Sequence, residues 1–234
     1  MIEKNINIIE DKRLLNRIMG ISAIFAALMI SIADFMLEFS HEYGVSSEII
    51  EPIWRFMPEW RFSYSIYICA FLIPFYILGF WLLYKVLKKS NKKFALIIFI
   101  LFSYGVIMGS PLIHTVMSMN PILYKFGIER GIDISIINEM IGNKITSVVF
   151  PVFIVHYLIT WIIAPILLFI YIIRGKSIFS RWVAFMNPLI FLIVGMLGLL
   201  IFPKIFIYLA PGSINKGNAL LFLMLTIKTW NMDE

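Results

Sequence analysis

The sequence predicts an all-α protein, a polytopic bundle of about six transmembrane helices. The 234 residues are 61% hydrophobic and 15% charged, whereas ordinary soluble domains are roughly 45–50% apolar and about 25% charged. Mean hydropathy is +0.91, and the apolar residues come in long runs instead of alternating with polar ones, which is the pattern of membrane spans. This length suits one compact bundle, with no separate soluble domain.

Six apolar segments separated by polar turns define the predicted helices. A bilayer requires ~20 apolar residues, so the first five segments are long enough. The sixth is short, and we expect it to be tilted, half-inserted, or to begin earlier, within PGSINKGN. Residues 1–17 are expected to form an amphipathic cytoplasmic N-terminus, without a signal-peptide cleavage site, ahead of a single transmembrane domain over 18–234. The predicted spans are residues 18–40, 63–87, 94–117, 145–173, 182–209 and 218–230.

Lysine and arginine predict the orientation of the chain. They concentrate before the first span, in the turn after the second and in the turn after the fourth, as in Lys12–Arg13, Lys88–Lys89 and Arg174. By the positive-inside rule these regions and both termini lie in the cytoplasm. The net charge of +6 then faces anionic membrane lipid and requires no nucleic-acid partner. We therefore expect a multi-pass protein of the bacterial cytoplasmic membrane.

The stretch SIADFMLEFS places two carboxylates, Asp34 and Glu38, in the first span. At 1.5 Å per residue, Asp34 lies ~24 Å along a helix that starts near residue 18, in the outer part of the bilayer. Ala23, Ala27 and Ser31 fall on the same helical face, and small residues mark the side of a membrane helix that packs on others. This stripe predicts that Asp34 points into a polar interior site; the alternative is an exposed helix end.

Two histidines on other helices are the candidate partners of these acids. His114 ends the third span on a face shared with Ser110, while His156 lies ~16 Å deep in the fourth span with Thr160 one turn further. In the third span, Gly105 and Gly109 form a GxxxG pair. That pair serves either internal helix packing or a homo-oligomer.

Three kinds of chemistry remain open for Asp34, His114 and His156. They could bind a divalent metal such as zinc and activate a water in an intramembrane lipid hydrolase, with Glu38 as a base. They could form a proton relay or an outward-facing pocket that binds or moves a small polar or lipid ligand. They could also be a polar network that only specifies packing. The sequence has no HExxH, GxSxG or phosphate-loop motif, which favours a non-enzymatic pocket over a hydrolase.

The polar turns supply further pocket candidates. Arg55 and Arg61 stand in a repeated tryptophan–arginine pattern typical of the bilayer interface, and either is a candidate partner for the two acids. Lys204 and Asn218 flank the last predicted turn; with Asn215 and Lys216 they could hold an anionic head group, or form only a turn with a lysine that reaches the interface.

Short features spread along the chain resemble an uncharacterised family of bacterial six-helix membrane proteins. They are Ala33-Asp34, Trp54-Arg55, His114, Asn187-Pro188 and Asn218. The resemblance implies the six-helix topology and a shared polar site, and it implies no activity. From the residues alone, Asn187 is expected to cap the fifth helix.

Overall fold

The structure, a computed structural model, describes residues 2–39, 54 and 57–232, with only the backbone for residues 2–9 and Ser110. Within these ranges every secondary-structure element is helical, which confirms the predicted all-α class. In chain order the elements are α1 Ile2–Glu38, α2 Glu59–Leu87, α3 Lys92–Glu129, α4 Ile134–Ile173, a 3₁₀ turn Arg181–Met186, α5 Pro188–Ile201, α6 Pro203–Leu209 and α7 Ser213–Thr229.

Four helices in the described part of the chain are long and apolar enough to cross a membrane. They run over Glu10–Glu38, Glu59–Leu87, Lys92–Glu129 and Ile134–Ile173. They contain the second, third and fourth predicted spans and all but the last two residues of the first. The N-terminal residues continue α1 without a break, and α3 runs past its predicted end at 117, through Pro121. These helices support a membrane protein, whereas the count of six spans is not supported.

The prediction of a single helix over residues 182–209 is wrong. Helix α5 has only 14 residues, and at Phe202 the backbone leaves the helical region with φ −130° and ψ 61°. The cause is Pro203, because a proline ring disfavours the helical conformation of the preceding residue. At the other end, Asn187 caps α5 as predicted: its side-chain oxygen accepts from the N–H of Leu189 at 2.9 Å.

The last helix begins at Ser213, five positions before the predicted start, which is one of the expectations for PGSINKGN. Gly212 precedes it with φ +68°, a backbone conformation that costs glycine least. Its carbonyl accepts a hydrogen bond from the hydroxyl of Ser31 at 3.3 Å. The turn between α6 and α7 is thereby fixed onto the polar face of α1.

Helix α4 is not a regular α-helix along its length. Two π-helical segments interrupt it, Glu139–Ile145 and Tyr157–Ile163. Such wide turns are rare and frequently lie at functional sites. The second follows directly on His156 and contains Thr160.

Helix α1 packs along α2 and α7, and small side chains allow the close approach. Ala23 and Ala27 are fully buried, as the predicted stripe requires. Aromatic rings fill the adjoining space: Tyr76 and Phe80 of α2 each meet Phe222 of α7 with ring centroids 5.3 Å apart. Since lipid is as apolar as these side chains, close packing is the main source of helix association here.

The GxxxG pair of α3 is engaged inside the chain. A Cβ on Gly105 would meet the hydroxyl of Thr160, and one on Gly109 would meet the ring of His156. Internal packing is thus the role that the structure gives this pair.

We predict that Gly109→Ala lowers the free energy of unfolding by about 1–3 kcal/mol, the usual cost of overpacking, because the added methyl group collides with His156. Gly142→Ala is the control, since a Cβ there meets nothing within 4 Å. Thermal unfolding in detergent measures both variants. Equal midpoints for the two would contradict the packing described here.

Candidate functional site

A cavity of about 290 Å³ lies where α1, α3, α4, α5 and α7 meet. It is at the lower end of the size of ligand pockets, roughly 300–1,000 Å³. Most of its wall is apolar, with side chains from α3, α4 and α5 and from the turn before α7. The ionisable and amide side chains that line it are Asp34, Glu38, Tyr76, His114, His156, Asn215 and Asn218.

Asp34 and His114 form the central contact of the polar wall. His114 Nε2 lies 3.2 Å from Asp34 Oδ1, and His114 Nδ1 lies 2.8 Å from the hydroxyl oxygen of Ser65. The Ser65 hydroxyl in turn donates to the carbonyl of Ala33 at 3.1 Å. Three helices, α1, α2 and α3, are therefore joined through one imidazole ring that is only 5% exposed.

The directions of these hydrogen bonds fix where protons are needed. Because the single proton of Ser65 is donated to Ala33, His114 Nδ1 must donate to the serine oxygen. The contact between His114 Nε2 and the Asp34 carboxylate requires a second proton. The pair is then a mutually neutralised imidazolium and carboxylate, or a neutral imidazole beside a protonated acid.

The other oxygen of Asp34 continues the network into α7 and α2. Asn215 Nδ2 donates to Asp34 Oδ2 at 2.7 Å, and the Tyr76 hydroxyl donates to Asn215 Oδ1 at 2.6 Å. Asn218 hydrogen bonds to the same Tyr76 hydroxyl. The side-chain oxygen of Asn218 has no hydrogen-bond partner in the described structure, and water does not reach it, because the residue is only 2% exposed.

His156 of α4 lines the same cavity in a defined tautomer. Its Nδ1 lies 2.8 Å from the carbonyl oxygen of Gly105, and a carbonyl only accepts, so Nδ1 carries the proton. Thr160 Oγ1 is at 3.4 Å from the same nitrogen. Nε2 is then an acceptor in the neutral ring, and no residue that the structure describes donates to it.

Two side chains mark the edges of the cavity. Glu38, one turn beyond Asp34, lines it and is exposed; across the described ranges no ion pair or hydrogen bond engages its carboxylate. Met196 of α5 also lines it and is 60% exposed. The cavity therefore reaches the outer surface of the bundle on an apolar helix.

Several predicted pocket residues lie elsewhere. Arg61 does not pair with the acids; its Nη2 donates to the carbonyls of Phe35 at 3.2 Å and Phe39 at 2.7 Å, which caps the end of α1. Lys204 is exposed on α6 and does not line the cavity. Arg55 and the side chain of Ser110 are outside the described residues.

Two residues of the predicted anion site around the last turn are engaged within the chain. Lys216 Nζ donates to the carbonyls of Leu209 at 2.7 Å and Pro211 at 2.8 Å. The side-chain amide of Asn215 is hydrogen-bonded to Asp34 and Tyr76. The lysine thus stabilises the turn, and the asparagine holds a carboxylate.

The hypothesis of a zinc site on Asp34, His114 and His156 is not supported. Over the described residues, no three His, Cys, Asp or Glu side chains are grouped as metal ligands. Both nitrogens of His114 are engaged by Ser65 and Asp34, and His156 faces Gly105 through Nδ1. The metal-dependent hydrolase that depended on this ligand set therefore has no geometric support.

Sequence reasoning missed Ser65 and Tyr76 as site residues and gave Asn215 a different partner. One signal was present for Ser65: it lies near the start of the second predicted span, at about the membrane depth of Asp34 near the end of the first. Tyr76 carries no such signal, because a tyrosine inside an aromatic-rich run is usually a packing residue.

A family model described as a family of unknown function, DUF6796, matches residues 4–231. No curated protein and no solved structure matches the chain. This match confirms the expected resemblance to a family without an assigned activity.

We predict that Ser65→Ala lowers the free energy of unfolding by about 1–3 kcal/mol, because it leaves the buried Nδ1 of His114 without an acceptor. Ser147→Ala is the matched control, since the Ser147 hydroxyl is exposed and bonds only to Lys144 in its own helix. Thermal unfolding in detergent compares the two. A Ser65→Ala protein as stable as the control would show that the serine does not hold His114.

Proposed function

We propose that this chain, which belongs to the DUF6796 family of unknown function, is a multi-pass membrane protein that binds an amphipathic ligand in the cavity between its helices. The observation that carries the proposal is the division of the cavity wall. Helices α1, α2, α3, α4 and α7 contribute hydrogen-bonding side chains to the wall, and α3, α5 and the neighbouring segments contribute apolar ones. A ligand with a small polar head and a hydrocarbon chain matches both parts.

Unsatisfied acceptors favour a ligand over a purely structural network. Buried polar groups nearly always have a partner, and leaving one unpaired costs about 1–3 kcal/mol. Asn218 Oδ1 is buried and unpaired, and His156 Nε2 is an acceptor without a donor in the described residues. Asp34, His114 and Ser65, in contrast, satisfy each other and fit the structural alternative. The wall thus contains one group of side chains whose hydrogen bonds are satisfied within the chain and another group with unpaired acceptors.

The backbone around the cavity supports the same function. Non-helical backbone at membrane depth is tolerated where it lines a cavity or is buried in protein. Residues 210–212 form the turn between α6 and α7 and line the cavity. Helix breaks beside a central site are a recurring feature of proteins that bind or move small ligands in membranes.

Entry from the bilayer is the route that fits the exposed apolar edge. Met196 lines the cavity and is 60% exposed on α5, so a chain can pass from lipid to the cavity without crossing water. The distribution of lysine and arginine supports a placement with both termini in the cytoplasm and the cavity toward the outer leaflet. With the resemblance described above, it supports a bacterial cytoplasmic membrane as the location.

Photo-crosslinking identifies the ligand directly. We expect that a benzophenone amino acid at Trp161, which lines the cavity, captures a defined amphiphile in cells. The same group at Trp182, 54% exposed and outside the cavity wall, captures the bulk lipid mixture. Mass spectrometry of the adducts measures both. Equal adduct compositions at the two positions would contradict a selective cavity.

We also predict that Asn218→Leu removes the adduct at position 161 and keeps the unfolding midpoint within a few degrees, or raises it. The substitution removes the hydrogen bond between Asn218 and the Tyr76 hydroxyl, but it also deletes an unpaired buried acceptor, which offsets that loss, and residues kept for function often reduce stability. Thermal unfolding and adduct yield are measured on the same protein. A purely structural network predicts the reverse, a lower midpoint with an unchanged adduct.

A further inference from the structure

We infer that the ligand of this cavity is a single-chain amphiphile with a positively charged, hydrogen-bond-donating head, such as a long-chain primary ammonium. The inference rests on the proposed function and adds the chemical class of the ligand. It follows from the groups that the folded chain leaves unpaired on the cavity wall.

The buried polar atom that the described wall leaves unpaired is an acceptor. Asn218 Oδ1 is buried without a donor. His156 Nε2 is the acceptor of a ring whose Nδ1–H is given to Gly105. Glu38 adds a carboxylate that has no ion pair or hydrogen bond in the described residues. A ligand head that satisfies these three acceptors has to supply hydrogens.

The charge of the wall points in the same direction. Asp34 is neutralised with His114 in either of the proton arrangements that the hydrogen bonds allow. No lysine or arginine lines the cavity within the described part of the chain. Glu38 is therefore an acid on the cavity wall without an ion-pair partner in the described residues, and a cationic head is the ligand that complements it.

Two basic residues lie near this end of the bundle, and both are engaged by backbone. Lys216 is close enough for its charge to act on Asp34 and Glu38, but its ammonium donates to the carbonyls of the turn before α7. Arg61 donates to the last carbonyls of α1. Neither side chain lines the cavity.

An aromatic ring adds a second feature suited to a cation. Tyr157 of the π segment lines the cavity, and it remains in place when the crosslinking group replaces Trp161. The face of such a ring attracts ammonium groups. The volume of about 290 Å³ accommodates one chain better than two.

The test compares three probes with the same chain and different heads: dodecylamine, dodecanol and dodecanoate. Full-length protein with the benzophenone group at position 161 is titrated with each probe in a non-ionic detergent at neutral pH. Intact mass gives the yield of each adduct, and position 182 gives the background. The variants are Glu38→Lys and the milder Glu38→Gln, with Glu59→Lys as the matched control, because Glu59 is an exposed acid that does not line the cavity.

We expect half-maximal labelling by dodecylamine at a concentration roughly tenfold below that for dodecanoate, because the ammonium donates charge-assisted hydrogen bonds to the unpaired acceptors, whereas an ionised carboxylate has no hydrogen to donate. Dodecanol should fall between them. Glu38→Gln should reduce the preference and Glu38→Lys should reverse it, while Glu59→Lys leaves it unchanged.

Two different failures are distinguishable. Labelling by dodecanoate at concentrations equal to or below those for dodecylamine, or equal effects of Glu38→Lys and Glu59→Lys, would overturn the inferred head group and leave the cavity as a binding site. Labelling by no probe at position 161 above the level at position 182 would overturn the proposed function itself.

Discussion

The contact between Asp34 and His114 is the interaction on which the rest of this structure depends. An aspartate inside a membrane helix costs up to ~2.5–3.5 kcal/mol near the centre on insertion scales, and less toward an interface. The bundle offsets this cost with three partners from other helices: His114 directly, Ser65 behind it, and Asn215 on the second oxygen. Helices α1, α2, α3 and α7 are thereby held in one register at the level of the cavity.

Close packing of α3 on α4 determines where the cavity residues of α4 lie. Gly105 and Gly109 remove side chains from one face of α3, so Thr160 and His156 of α4 lie against its backbone. The missing side chains also leave the carbonyl of Gly105 accessible, and it fixes the tautomer of His156. A packing motif thus determines which nitrogen of a histidine faces the cavity.

The cavity combines two parts with different physical roles. The part around Asp34 is satisfied by the chain and stabilises the fold. The part around Asn218 and His156 has acceptors that the described chain does not pair. A buried unpaired atom such as Asn218 Oδ1 is costly in an apolar interior, and a bound donor would offset that cost. This division is the physical reason for proposing a ligand at the site.

The sequence by itself determined the helical class, the first four apolar helices, the buried stripe of α1 up to Ser31 and the cap at Asn187. Each of these depends on local pattern, on hydropathy or on helical periodicity, which neighbouring residues dictate. The same reasoning extended the fifth span across Pro203, because hydropathy counts apolar residues and does not register the backbone restriction at Phe202.

Only the tertiary structure decided which groups meet. Asp34 contacts His114 and Asn215 instead of the expected Arg61 or a metal ion. Ser65 and Tyr76 of α2 belong to the same network, and neither lies in a recognisable motif. Hydrogen-bond partners depend on the rotation and depth of whole helices, to within about an ångström. Those quantities are set by packing between distant segments, so no local pattern in the sequence contains them.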